Sequence, residues 1–307
     1  MGVTEAGDGS GGERSVPAPD ARFRAMPGAL YVVATPLGNL RDLTLRALDV
    51  LATADVIAAE DTRTTGNLLR HYGIVAQTLS LHAHNEDARA RTIVARLAEG
   101  KSVALVSDAG TPGISDPGAR TVRAVRAAGY PVIPIPGPSA VAAAVSAAGL
   151  VADAFLFAGF LPPQAKARRE RLQALAQLPA ALVFHEAPHR IRDTVDDLCA
   201  AFGDARVLVV ARELTKTFET VASMPLAEAP SWLAGDPNRE RGEFVLIVDA
   251  PPPAAGEAAL DAAALRWLVA LLEELPPSRA ARVVAAVTGA PRADVYARAL
   301  ALKPGQA

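Results

Sequence analysis

The chain of 307 residues is long enough for two domains of ordinary size and a small remainder, and its balance of about half hydrophobic and a fifth charged residues belongs to a globular protein. A formal net charge of −2 excludes a global positive field, so a nucleic-acid partner must be held by local patches. Cys199 is the single cysteine, which excludes an intramolecular disulfide and fits a reducing, cytoplasmic setting.

Residues 1–27 are rich in Gly, Ser, Pro, Asp and Glu without an apolar core and read as a disordered tail, not a signal peptide. Ala6 stands where a myristoylation motif needs Ser or Thr. From Leu30 onward, strand-like runs at 30–34, 55–59, 77–81, 103–107 and 132–135 alternate with amphipathic stretches at 43–52, 64–71, 87–99 and 119–128. That alternation predicts a largely parallel sheet covered on both faces in a domain spanning 28–150. The Ala-rich stretch 140–161 is too interrupted by Gly149, Asp153 and Gly159 to span a membrane. It splits into a helix, a turn and a strand. A second α/β domain over 151–250 follows, with strands at 155–160, 181–185, 207–211 and 244–248 and helices at 166–177 and 191–202. A linker at Pro251-Pro252-Pro253 then leads to a helical appendage (258–307) with helices at 260–275, 278–288 and 293–302, Ser278 as an N-cap and Gly289 as a C-cap. A helix, Gly turn and helix suit nucleic-acid contact or simple packing.

Three loops follow strand ends, where open α/β sheets bind ligands. The first, Thr35-Pro36-Leu37-Gly38-Asn39-Leu40, combines a fixed angle at Pro36 with a permissive one at Gly38. The second runs from Ser107 to Gly118 and carries Asp108, Gly110, Thr111 and Asp116; Asp116 reads as the cap of the next helix, with Pro117 at its first position. The third, Pro134-Ile135-Pro136-Gly137-Pro138-Ser139-Ala140, joins a strand to the Ala-rich helix.

The motifs TPLGN, AAEDTR, SDAGTPGISDPG, PIPGPSA, ARELTKTFET and GEFVLIV, in that order between Leu30 and Val248, resemble the tetrapyrrole methylase family. They are most similar to its branch that 2'-O-methylates a cytidine of small-subunit ribosomal RNA. The resemblance implies two α/β domains with S-adenosyl-L-methionine folded into the cleft between them, a homodimer, and 16S rRNA or the 30S subunit as partner. It also implies donor contacts at Leu37, Gly38, Asp108, Gly110, Thr111, Ser139 and Ala140, with Glu186 and Ala211 around the adenine. Where many tetrapyrrole methylases end a Gly-rich loop in Asp, this chain has Asn39, in keeping with the RNA-modifying branch.

A sulfonium methyl is already electrophilic, so alignment supplies about 7–11 kcal/mol and a positioned base roughly 10²–10⁴-fold more. Glu60, Asp61 and Glu213 are the candidate bases, with Lys216 or Arg212 holding the adjacent phosphate. Further RNA contacts are expected at Arg63, His84 and Asn85 and along a basic helix carrying Lys166, Arg168, Arg169 and Arg171. His82 and His84 lack the further ligands a zinc site needs, so no metal is expected. A dehydrogenase or P-loop enzyme is excluded by the absence of GxGxxG after the first strand and of GxxxxGK[ST]. A corrin or porphyrin methylase and a non-enzymatic RNA-binding module stay open.

Overall fold

In the computed structural model, residues 20–176, 178–251 and 262–302 are described. Strands β1 (Leu30–Val33), β2 (Val56–Ala59), β3 (Gln77–Ser80), β4 (Val103–Val106) and β5 (Val132–Ile135) alternate with helices α1 (Leu45–Thr53), α2 (Thr62–His71), α3 (Glu86–Ala98) and α4 (Ala119–Ala127). The five strands pair in parallel in the order β3-β2-β4-β1-β5. Successive side chains alternate between faces. Ile57 and Ala59 pack with Leu48, Leu51 and Leu69 of α1 and α2, whereas Val56 and Ala58 pack with Ile93, Leu97 and Val125 of α3 and α4. The chain leaves β1 and β4 in opposite directions, so a crevice opens beyond their carboxyl ends, the place where such sheets take ligands.

Helix α5 (Ala140–Ala148) leads to a second sheet built from β6 (Phe155–Phe160), β7 (Ala181–Glu186), β8 (Val207–Arg212), β9 (Thr220–Pro225) and β10 (Phe244–Val248), with helices α6 (Ala165–Leu175), α7 (Ile191–Phe202) and α8 (Ala229–Ala234) between them. Its order is β6-β7-β10-β8-β9; only β6 and β7 pair in parallel. Strand β9 and helix α8 were not expected. As an edge strand with mostly exposed or half-exposed residues and a terminal proline, β9 carries little apolar signal. Val141 and Ala144 of α5 pack on Val183, Val209 and Ile247, so the small side chains of this helix seat it closely against the second sheet.

The Pro-rich linker lies almost wholly outside the described residues. Helices α9 (Ala262–Glu274), α10 (Pro277–Thr288) and α11 (Arg292–Leu302) share a core of Leu268, Leu272, Val284 and Val295. Gly289 ends α10 in the left-handed region at φ 75°. The start of α10 differs from expectation: Pro276 is the cap and Pro277 the first residue, ahead of Ser278. Of the tail expected over 1–27, residues 1–19 lie outside the described residues. Residues 20–27 are tied down, because Asp20 N donates to Asp49 Oδ1 (3.0 Å), Ala25 N to Thr53 Oγ1 (2.9 Å) and Met26 N to Tyr31 Oη (2.8 Å). No described helix is long and apolar enough to cross a membrane.

The basic helix also needs correction. Arg168 is buried, and its Nε donates to Asp197 Oδ2 at 2.6 Å, which joins α6 to α7. Lys166 and Arg169 stay exposed, so the expected phosphate rail loses its middle member.

Candidate active site

The three loops meet at the crevice. Thr35 and Gly110 exchange backbone hydrogen bonds (Thr35 N to Gly110 O, 2.8 Å; Gly110 N to Thr35 O, 2.9 Å), which staples the β1 loop to the β4 loop. Gly110 sits at φ 78°, a conformation that favours glycine, and a Cβ there would press on Leu37. Thr111 Oγ1 donates to Pro138 O at 3.0 Å, which ties the second loop to the third, and Ser139 Oγ caps α5 at Ala142 N.

Between these loops and the second sheet lies a cleft of about 420 Å3. Leu37, Asp108, Gly110, Thr111, Ser139, Ala140, Glu186 and Ala211 line it, as does Glu60. Gly38, expected with them, instead borders a second cavity with Lys216.

Strand alternation sorts the second-sheet residues. In register, His185, Val245 and Ala211 form one row across β7, β10 and β8, and Glu186, Phe244 and Arg212 form the next. The first row shares its face with Val183, Val209 and Ile247, under α5. In the second row the side chains turn away, toward the core of Leu182, Phe184 and Leu246. The Glu186 carboxylate is accordingly consumed inside the protein: Thr194 Oγ1 (2.6 Å) and Arg190 Nη2 (3.1 Å) donate to Oε2, and Ala187 N (2.8 Å) to Oε1. Arg212 is buried with Nη1 donating to Phe218 O at 3.0 Å, so it offers no charge to a surface phosphate. His185 is the residue the sequence reading missed on the cleft side. Its ring stands edge-on to Phe157 and Phe160, its Nε2 has no partner among the described residues, and burial holds its pKa down.

The candidate bases separate clearly. Asp61 caps α2, pairs with Arg63 (2.8 Å) and is held at about 2 by hydrogen bonds from that arginine, which makes it a weak base. Burial raises the Glu213 carboxyl, but Lys216, the Glu243 amide and Arg212 outweigh burial and leave its pKa lowered. Glu60 lines the cleft, accepts a long bond from Asp108 N (3.5 Å), and is raised by burial first and by the Asp108 charge. Asp108 Oδ1 in turn accepts from Asp61 N at 3.0 Å.

Asp116 was expected to cap α4. Gly118 holds that position, and Glu86 from 32 residues earlier does the capping, with Oε1 accepting from the amides of Gly118 (2.9 Å), Arg120 (2.9 Å) and Thr121 (3.1 Å). Freed from that role, Asp116 lines the cleft, where burial, reinforced by the Glu60 charge, pushes it up to about 6. Because the native state holds this proton more tightly than the unfolded chain, stability falls as pH rises from 3.8 to about 6. A full conversion of that shift would give about 3 kcal/mol; solvent screening of a half-exposed group reduces it to about 1 kcal/mol. Asp116→Asn is therefore expected to raise the unfolding free energy at pH 7.5 by about 1 kcal/mol, with no gain at pH 3.5, as read by urea titration.

Of the RNA candidates, Arg63 is exposed but engaged by Asp61, and His84 is exposed beside the His82 ring. Asn85 is committed to its own turn: Oδ1 accepts from His82 N (2.9 Å), and Nδ2 reaches His82 Nε2 (3.0 Å). No group of metal-ligating side chains occurs among the described residues.

Lys216 Nζ bonds Glu213 Oε1 (2.8 Å) and Glu243 Oε2 (2.9 Å). Glu213 itself adopts φ 52°, and Gly242 (φ 89°) leaves room for it: a Cβ there would lie 2.4 Å from Glu213 Cγ and Cδ. Gly242→Ala is expected to cost about 1–3 kcal/mol from backbone strain, seen as a lower denaturation midpoint.

The two sheets, the crevice and the cleft follow the plan of the tetrapyrrole methylases. Residues 29–230 match the Tetrapyrrole (Corrin/Porphyrin) Methylases, and residues 258–303 match the RsmI C-terminal HTH domain. The chain is 54% identical over 274 residues to the ribosomal RNA small subunit methyltransferase I of Xylella fastidiosa (strain Temecula1), covering 88% of this chain and 98% of the relative. It is 50% identical over 273 residues to that of Escherichia coli O157:H7, covering 89% and 95%. The fold is similar to uroporphyrin-III-C-methyltransferase from Thermus thermophilus (TM-score 0.53, 23% identity, 72% and 94% covered). The chain belongs to the ribosomal RNA small subunit methyltransferase I family within the tetrapyrrole methylases.

Proposed function

We propose that this chain transfers a methyl group from S-adenosyl-L-methionine to small-subunit (16S) ribosomal RNA, at the 2'-oxygen of a cytidine in the decoding region. Supporting the substrate are relatives named ribosomal RNA small subunit methyltransferase I. One structural observation carries the reading: a single cleft gathers eight of the nine expected donor contacts together with the carboxylates of Glu60 and Asp116, both raised by burial. We take residues 28–150 and 151–250 as the two lobes, 258–307 as an appendage, and the working unit as a cytoplasmic homodimer acting on the 30S subunit.

The chemistry of the lining fits the donor. Leu37, Ala140 and Ala211 offer an apolar bed, Asp108 a hydrogen-bond acceptor, and Glu60 and Asp116 negative charge for a cation. When bound, S-adenosyl-L-methionine supplies an electrophilic methyl on a sulfonium. In this reading the loops hold it in line with the acceptor, and Glu60 takes the 2'-hydroxyl proton as the oxygen attacks. Glu60 is chosen over Asp61 and Glu213 because they are held in ion pairs outside the cleft lining. Lys216 keeps Glu213 in place and is assigned to positioning. Arg63, His84, Lys166 and Arg169 are the remaining RNA contacts.

The test is methylation of undermethylated 30S subunits with a methyl-labelled donor, followed by mapping of the modified nucleotide. Label on a single cytidine ribose of the small-subunit RNA is the expected result. Label on a base, or none, overturns the assignment. A tetrapyrrole acceptor is the second reading, favoured by the match of residues 29–230 to the Tetrapyrrole (Corrin/Porphyrin) Methylases, and label transfer to a tetrapyrrole would reveal it.

A further inference from the structure

The donor cleft has a neighbour. The loop after β1 and the segment after β8 serve both cavities: Leu37 and Leu214 line the cleft, while the residues that follow each of them line a second cavity of about 590 Å3 that His71 borders. The second cavity therefore adjoins the cleft along these two segments, where the first lobe's β1 loop meets the second lobe's loop after β8.

Its chemistry is cationic and hydroxylic. The Arg41 side chain is exposed, and no described residue pairs with its guanidinium. His71 closes the carboxyl end of α2. The Lys216 charge, in contrast, is balanced by Glu213 and Glu243, so Lys216 serves as a wall. Its stem crosses so near the β1 loop that a Cβ on Gly38 would lie 2.4 Å from its Cγ. Thr215 borders the cavity at φ 67°, and its buried Oγ1 has no partner among the described residues. Strained backbone at Thr215, kept beside the cleft, is the kind of feature that clusters at functional sites.

We propose that the second cavity is the substrate-strand subsite, where Arg41 binds a phosphodiester of single-stranded RNA so that the adjoining ribose reaches the donor cleft past Leu37 and Leu214. A planar guanidinium can bind a phosphate through two parallel hydrogen bonds, and the hydroxyl of the exposed Thr217 can serve the sugar. This rests on the RNA-methylating reading above and extends it to the surface that takes the strand.

Arg41→Glu and Arg41→Lys enzymes are compared with wild type on undermethylated 30S subunits, and S-adenosylhomocysteine affinity is measured by calorimetry. Arg41→Glu is expected to raise KM at least tenfold with donor affinity unchanged, and to lower the slope of log KM against log salt by roughly 0.7, one single-strand phosphate contact. Arg41→Lys is expected to lie between the two. An unchanged KM and salt slope in Arg41→Glu overturns the subsite, as does a loss of donor affinity, which would make Arg41 part of the donor cleft's architecture. Failure of the wild type itself to methylate the subunits overturns the functional reading, and the subsite with it.

Discussion

Glu60→Gln is expected to slow single-turnover methyl transfer, measured at saturating donor, by roughly 10²–10⁴-fold. Glutamine keeps the size of the side chain and its acceptor for Asp108 N, but it cannot take a proton. The carboxylate is raised by burial and by the Asp108 charge, which brings its basicity closer to that of a useful proton acceptor. The pH profile carries the same sign: acid protonates the base, so the rate falls on the acid side, with its midpoint above 4.5, the ordinary value for glutamate. Asp61→Asn, by contrast, is expected to act on the α2 cap and leave the chemical step near normal. Equal rates for wild type and Glu60→Gln would remove Glu60 from the mechanism.

Arg168→Ala is expected to destabilise the protein by about 3–5 kcal/mol, because it strands a partly buried carboxylate. Among the described residues Asp197 would retain only Arg169, at 3.7 Å and largely exposed, which places the loss toward the lower end of that range. Urea denaturation of the purified variant reads this directly. RNA affinity of the fraction that stays folded should not change, since the guanidinium faces α7 and not solvent. A variant as stable as wild type would show that the Arg168 pair does not hold α6 to α7.

The alternation of strands and helices and the three ligand loops were legible because local chemistry dictates them. Pro36, Gly38, Gly110 and Ser139 follow strands whose β-branched and alanine runs are unambiguous. Less legible were features set by tertiary partners. Arg168 sits in a run of basic residues, and only the approach of Asp197 from α7 makes it interior. Asp116 carries every local sign of a helix cap, yet Glu86 reaches the same amides across 32 residues. Glu186 and Arg212 flank the cleft in sequence, but a period of two turns both side chains to the other face and brings His185 forward. That inversion was available from the strand pattern alone, since Phe184 and Glu186 fall on one face and Val183 and His185 on the other. Strand β9 stayed hidden because an edge strand need not be apolar.

Calorimetric titration with S-adenosylhomocysteine, on wild type and on Ala140→Trp, tests most directly whether the crevice between the sheets is where the methyl donor sits. Ala140 opens α5 and lines the cleft, so an indole there competes with the donor for space. One site per chain is expected in wild type and none in the folded variant. Undiminished binding by Ala140→Trp, or no binding by wild type, would contradict it.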